Sequence, residues 1–287
     1  EPNPSEQIGN MPKAFFQNLQ KKTRHSGYFK SGFQKKLNRL FLEVDLSLLS
    51  PLFSFYATLE DIMVKQDLIN TSPVRFFNAV ACGGLSAGQM GIITAKKGLG
   101  KTSVLVQFGI DALLYDKHLV HVSFDQKSSN VIAWYESVLA EMGKKKNIED
   151  MNELSESIIR NRTILNFNQE TFTLPKVVNT LKALKEGGVK VEALVIDGED
   201  MDKVSVEDVE SVSDFAKAEG IEVWFSGTNE NAGLSKTVRP EILPFFDIVA
   251  HIGSDGKNVM LSVLKAGGKE TSSAGVRLDA KTMLMCE

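Results

Sequence analysis

Cysteine is nearly absent: 287 residues contain two, Cys82 and Cys286, and their positions form neither a disulfide framework nor a metal-ligand pair. That excludes a small disulfide-stapled scaffold and suits a reducing cytoplasm. The four histidines, His25, His118, His121 and His251, also lack ligand spacing. Nowhere do about 18 apolar residues run together, so no membrane-spanning helix is expected. The opening Glu1-Pro2-Asn3-Pro4-Ser5-Glu6 lacks the charged-then-apolar layout of a secretory signal. A soluble cytoplasmic protein is the expectation. Neither sign of charge dominates, with a net of -3, so any nucleic-acid or anionic-membrane partner must be sought in local patches. Internal repeats and low-complexity tracts are missing too.

The chain does have enough apolar material, 43% of its residues, to bury one substantial core. Residues 1–10 are polar and turn-rich, expected to be an unstructured lead or cloning remnant outside the fold. Residues 11–72 read as a basic helical arm. Between Met11 and Phe41 stand eight cations (Lys13, Lys21, Lys22, Arg24, Lys30, Lys35, Lys36, Arg39) and no acid. Phe29, Phe33, Leu37 and Leu40 recur at helical spacing opposite the lysines. Such an arm suits docking on an adjacent subunit, contact with nucleic acid, or an anionic membrane surface. Ser50-Pro51 interrupts the apolar stretch that follows, and Ser72-Pro73 predicts an extended approach to the main domain.

From Phe76 onward, short β-rich runs alternate with helical ones, the pattern of parallel strands joined by crossover helices. Strands are predicted at Met90 to Thr94, Leu119 to Phe124, Thr163 to Phe167, Ala193 to Ile196 and Glu222 to Ser226. Helices are predicted at Thr102 to Leu114, Ser129 to Met142, Leu174 to Gly187 and Val206 to Gly220. After Pro244 the helices stop. Ile248 to Ile252, Val259 to Leu264, Val276 to Leu278 and Met283 to Met285 then read as a strand meander. The expectation for 73–287 is an α/β domain with a mostly parallel central sheet.

Ala95-Lys96-Lys97-Gly98-Leu99-Gly100-Lys101-Thr102 fits the Walker A pattern in relaxed form, with alanine in the opening position. A strand precedes it and an amphipathic helix follows. In that context the loop turns successive N–H groups inward at a helix N-terminus, where free donors and the helix dipole favour a polyphosphate. Lys101 would reach the outer phosphates, and the Thr102 hydroxyl would ligate Mg²⁺. The ATP-binding set is therefore Ala95, Lys96, Lys97, Gly98, Leu99, Gly100, Lys101, Thr102 and Ser103. Lys96 gives the loop a partial likeness to the signature-lysine loop of the MinD/ParA ATPases, which carry theirs near the N-terminus and lack a Gly-Gly turn before the strand.

Gly83-Gly84-Leu85-Ser86-Ala87-Gly88-Gln89, the strand, the Gly-Lys-Thr loop, the helix and then Val122-Ser123-Phe124-Asp125-Gln126 together resemble the ATPase core of DnaB-type replicative helicases and their RadA and KaiC relatives. Gln169-Glu170-Thr171-Phe172-Thr173, Phe246-Asp247-Ile248-Val249, Val263-Leu264-Lys265 and Arg277-Leu278-Asp279 continue the same order. The resemblance covers roughly Phe76 to Met285 and implies a RecA-like P-loop NTPase fold. It implies ATP and Mg²⁺ as ligands and a ring or filament homo-oligomer, with nucleic acid or a further protein as partner. Asp197, which ends Leu194-Val195-Ile196-Asp197, matches the Walker B residue that holds a water on Mg²⁺.

Three departures from that family point to slow hydrolysis. The catalytic base is a glutamate there and Asp125 here, one methylene shorter, with Glu199 a second candidate. Glycine lies within Ser226-Gly227-Thr228 where a sensor glutamine is expected. The Lys-x-Arg finger becomes Lys265-Ala266-Gly267, which keeps the lysine and loses the arginine, a group worth on the order of 10³ or more in rate. The expected activity is weakened ATP hydrolysis, and the alternative is a nucleotide-sensing scaffold. A DNA helicase or a DNA-repair or recombination ATPase is the third expectation, placed last because the family's separate N-terminal helical domain is not expected to fit in this chain. The segment Asn229 to Leu243, which lines a DNA channel in the relatives, offers only Lys236 and Arg239 as cations, few for a nucleic-acid track.

Overall fold

The computed structural model describes residues 62–124, 126–148 and 151–286, all within one unit, Asp61–Glu287. The 1–10 lead, the basic arm as far as residue 61, and Asp125 lie outside the described residues. Residues 62–70 are helical. Helix α1 (Val74–Val80) follows at once, with Pro73 at its N-cap at φ −55° and ψ −28°. The extended approach expected at Ser72-Pro73 is therefore corrected. Proline's fixed φ favours extension in the residue before it, but it is equally suited to starting a helix.

The remaining elements are β1 (Met90–Ala95), α2 (Lys101–Leu114), β2 (Leu119–Phe124), α3 (Ser128–Lys145), α4 (Asn152–Ile159) and β3 (Arg162–Phe167), then α5 (Leu174–Glu186), β4 (Ala193–Asp197), α6 (Val206–Glu219), β5 (Glu222–Thr228) and α7 (Leu234–Thr237). A 3₁₀ turn (Leu243–Phe245) leads to β6 (Ile248–Ser254), β7 (Val259–Ala266), β8 (Lys269–Leu278) and β9 (Met285–Cys286). All strands join one nine-stranded sheet in the order β3-β2-β4-β5-β1-β6-β7-β8-β9. Strands β3 through β6 in that order pair in parallel, and β7, β8 and β9 add antiparallel. The α/β class, the mostly parallel sheet and the closing meander agree with the pattern of the sequence. Strand β8 begins seven residues before the expected Val276, because Lys269 to Gly275 carries no apolar alternation that would mark it. Among the described residues no helix is long and apolar enough to cross a membrane.

Every residue of β1, β2 and β4 is buried, as expected for central parallel strands covered on both faces. Alternation along each strand divides the core in two. One face packs Ile93, Ala193 and Val195 under α1, α2, α3 and α4. The other packs Ile92, Val122, Ile196 and Phe225 under α5 and α6. Because six neighbouring strands run the same way, the ends of β1, β2, β4 and β5 lie along one edge of the sheet, with Ala95 opposite Thr228 and Ser123 opposite Asp197.

Three aromatics fix α1 and α2 to the sheet. Phe108 stacks on Trp224 at 4.1 Å and Phe77 meets both edge-on. Trp224 fits because β1 has no side chain beside it: a Cβ on Gly91 would come within 2.4 to 2.9 Å of three indole carbons. Trp224 is 5% exposed and pinned by Phe108, so the ring cannot retreat. Gly91→Ala is expected to destabilise the fold by about 1–3 kcal/mol through overpacking, read as a lower urea midpoint with an unchanged m-value.

Candidate functional site

The loop between β1 and α2 is built on positive backbone angles. Gly98 has φ +81° and Gly100 φ +85°, and the Leu99 N–H closes a turn on the Lys96 carbonyl at 3.2 Å. Gly100 is the N-cap of α2, yet no side chain caps that helix and its first turn holds no acid. Its leading N–H groups lack acceptors within the helix and its positive dipole end is uncompensated. An anion is what such an end can take.

Lys101 and Thr102 of the first turn find partners on neighbouring strands, while the buried Ser103 hydroxyl has none among the described residues. Lys101 Nζ donates to the Ala95 carbonyl at 3.2 Å. Burial holds its ammonium below the usual lysine range, with Lys97 adding to that and Asp197 opposing it. The Thr102 hydroxyl donates to Asp197 Oδ2 at 2.6 Å. Asp197 ends β4 and is almost wholly buried. Its other oxygen accepts from Ser226 Oγ at 2.6 Å, and Ser226 in turn accepts the Gly198 N–H at 2.8 Å. Gly198 has φ +89°, and a Cβ there would sit 2.8 Å from the Phe124 carbonyl. The chain can therefore turn away from β4 immediately after the carboxylate. Gln126 Nε2 approaches Thr102 Oγ1 at 3.4 Å, and Gln169 Nε2 donates to the Gly198 carbonyl at 2.7 Å.

Two further contacts frame the loop. The Ala95 carbonyl also accepts the Asn229 N–H at 3.1 Å, which joins β1 to the start of the 229–243 segment. On the other flank, a Cβ on Gly100 would meet Met283 Cε at 2.4 Å. Met283 adopts φ +57° in the turn before β9, so the expected strand from Met283 shortens to Met285–Cys286. Gln107 on α2 secures this turn: its amide donates to the Met283 carbonyl at 2.8 Å and accepts the Met285 N–H at 2.9 Å.

Of the residues expected to act together, the structure assembles Ala95 through Ser103 with Asp197. Glu199 is half-buried on the loop leaving β4. Lys265 is held elsewhere, with its ammonium on the carbonyls of Leu243 at 3.2 Å and Phe246 at 2.7 Å. Gly227 stands where a Cβ would press on Ile92, Thr94 and Met201 at 3.2 to 3.4 Å, so packing disfavours a longer side chain there. Arg239 donates inward to the Val204 carbonyl, which leaves Lys236 as the exposed cation of its loop among the described residues. Ser226, Gln126 and Gln107 were not foreseen. Ser226 carried one signal, a lone hydroxyl closing the apolar run Val223-Trp224-Phe225.

Among the described residues, no group of three or more His, Cys, Asp or Glu is placed to hold a metal. The oxygens of Thr102 and Asp197 are the pair that fits a hard cation, one that takes its remaining ligands from phosphate and water. No protein-family model matches this chain, and no curated protein matches it.

Behind Asp197 lies a buried polar group. His121 is fully buried, with Nδ1 2.9 Å from the Tyr135 hydroxyl and no partner for Nε2 among the described residues. The Arg162 guanidinium lies 4.5 Å over the Tyr135 ring. Burial pushes the His121 pKa down to about 4, opposed by Asp197 and assisted by Arg162. The imidazole is therefore neutral in the fold, and unfolding frees it to protonate near pH 6.5. Its contribution is complete above pH 6.5 and is lost as pH falls towards 4, reaching on the order of 3 kcal/mol. Urea melts from pH 7 to 4.5 are expected to show His121→Asn losing stability less steeply than wild type, by up to about one proton.

Proposed function

We propose that this chain binds ATP with Mg²⁺ in the 95–102 loop and is a RecA-like P-loop ATPase of the DnaB, RadA and KaiC type. The observation that carries the reading is the 2.6 Å contact between Thr102 and Asp197, which joins the helix that follows the loop to the acidic end of β4. A glycine loop or an acidic strand end alone would mean little. Their meeting at the carboxyl edge of a parallel sheet, where ligands of open α/β folds bind, favours a nucleotide.

In this reading Lys101 moves from the Ala95 carbonyl to the outer phosphates, and the first-turn amides of α2 hold the chain of phosphoryl groups. Thr102 and Asp197 would hold Mg²⁺, which when bound supplies charge neutralisation at the phosphates. Ser226 keeps Asp197 in one rotamer, and its own position is fixed by the Gly198 N–H.

Turnover is slow in this account. Lys265 is engaged with carbonyls of its own chain, no arginine accompanies it, and Gly227 offers no side chain to a γ-phosphate. The same two features favour a second reading, a nucleotide-sensing scaffold that binds ATP and scarcely hydrolyses it. Assembly into a ring or filament, with hydrolysis at subunit interfaces and nucleic acid or another protein as partner, belongs to the first reading.

Calorimetric titration of Mg-ATP into wild type and Lys101→Ala, with phosphate release measured on the same samples, tests the proposal. Loss of a charge-assisted bond should weaken binding about 30- to 100-fold and remove whatever hydrolysis wild type shows. Equal affinity in both proteins would overturn the nucleotide reading. Binding with turnover of many per second would overturn the slow-enzyme account.

A further inference from the structure

Beside Asp197 stands a buried hydroxyl with no hydrogen bond. Strand β2 is buried along its whole length, and its polar side chains are His121 and Ser123. Ser123 is 0% exposed, and its Oγ makes no hydrogen bond among the described residues. Such a hydroxyl carries the full desolvation cost of burial with nothing to offset it. Alanine would fill the same place in the strand without that cost. A serine kept there calls for an explanation in what lies next to it.

The register of β2 and β4 pairs Ser123 with Asp197, and side chains paired in this way stand on one face of the sheet. On the other flank of β4, Ile196 pairs with Phe225, so Ser226 is the next neighbour of Asp197. The end of the sheet thus carries a row of Ser123, Asp197 and Ser226 across β2, β4 and β5. Donors reach the carboxylate from β5 and from α2: Ser226 gives to Oδ1 and Thr102 to Oδ2, each at 2.6 Å. A carboxylate accepts about four hydrogen bonds, so it can take another from the β2 side. Ser123 is the hydroxyl placed to give it.

We infer that Ser123 is a positioning residue for Asp197, whose hydroxyl turns to the carboxylate when Mg²⁺ and a nucleotide occupy the site. The inference rests on the nucleotide reading. A cation held by Thr102 and Asp197 together takes up the space between their oxygens, so the proton that joins them has to leave. Asp197 Oδ2 then loses the donor that α2 now gives it. Ser123 replaces it from β2 while Ser226 keeps Oδ1, and the carboxylate stays fixed under the metal. The cost of the unpaired hydroxyl is relieved only on loading, which makes that relief part of the metal-dependent affinity. His121 Nε2 is the competing partner, since it too is buried without a hydrogen bond among the described residues and lies two residues earlier on the same face of β2. A tie between Ser123 and His121 would serve the ligand-free fold and be indifferent to metal.

The two roles separate in the variants Ser123→Ala and Ser123→Thr. Calorimetry would give the affinity of each protein for a non-hydrolysable ATP analogue, once with Mg²⁺ and once with EDTA. Urea melts would give the stability of the ligand-free chains. The gain in affinity on adding Mg²⁺ is expected to be smaller by about tenfold or more in Ser123→Ala than in wild type. Ser123→Thr, which keeps a hydroxyl, is expected to recover most of that gain. The urea midpoint of ligand-free Ser123→Ala should equal or exceed that of wild type, since a buried unpaired group is gone. An undiminished Mg²⁺ gain in Ser123→Ala, including an equal loss with and without metal, would overturn the inference alone. Joined to a lower midpoint, that result would assign Ser123 to His121 instead. Failure of the analogue to bind wild type under either condition would overturn the nucleotide reading, and the inference with it.

Discussion

A hydroxyl on the first turn of α2 and a carboxylate at the end of β4 lie 2.6 Å apart, although 95 residues separate them in the chain. Each partner is positioned by something larger than itself. Thr102 is where it is because Gly98 and Gly100 take positive φ and let β1 turn tightly into a helix. Asp197 is where it is because β4 is buried along its whole length and ends on the same edge as β1. Strand β5, inserted between them in the sheet, supplies Ser226 to the second carboxylate oxygen. The contact is thus a product of sheet topology, and altering the strand order would separate its members.

The rest of the structure reads as support for that edge. Two apolar layers, one on each face of the sheet, keep the parallel strands dry. The antiparallel meander at the far side ends in a turn that Gln107 ties back onto α2, with Met283 against Gly100. The turn before β9 is therefore packed against α2 and its N-terminal glycine. The buried His121 and Tyr135, with the half-buried Arg162 beside them, titrate outside the neutral range, so near neutrality they act as fixed polar structure.

Much of this was legible in the sequence, for definite reasons. The buried strands announced themselves as short apolar runs, and Gly98-Leu99-Gly100-Lys101-Thr102 marked the loop because few other sequences allow such a turn at a helix start. Asp197 was visible as an acid that closes an apolar run. What escaped notice depended on register and tertiary contact. Ser226 matters because Ile196 pairs with Phe225, which no local pattern discloses. Val74 to Val80 forms a helix after a Ser-Pro pair that equally suits extension. The first half of β8 is polar and owes its strand to pairing with β7. Lys265 is bound to carbonyls about twenty residues earlier, which its position in a motif did not suggest.

The most direct trial of the account is a crystal structure grown with Mg²⁺ and a non-hydrolysable ATP analogue. The account predicts phosphate density within the 95–102 loop, Lys101 Nζ withdrawn from the Ala95 carbonyl to a phosphate oxygen, and a cation beside Thr102 and Asp197. An unaltered loop at saturating analogue, with Lys101 and Thr102 still on their present partners and no density between them, would contradict it.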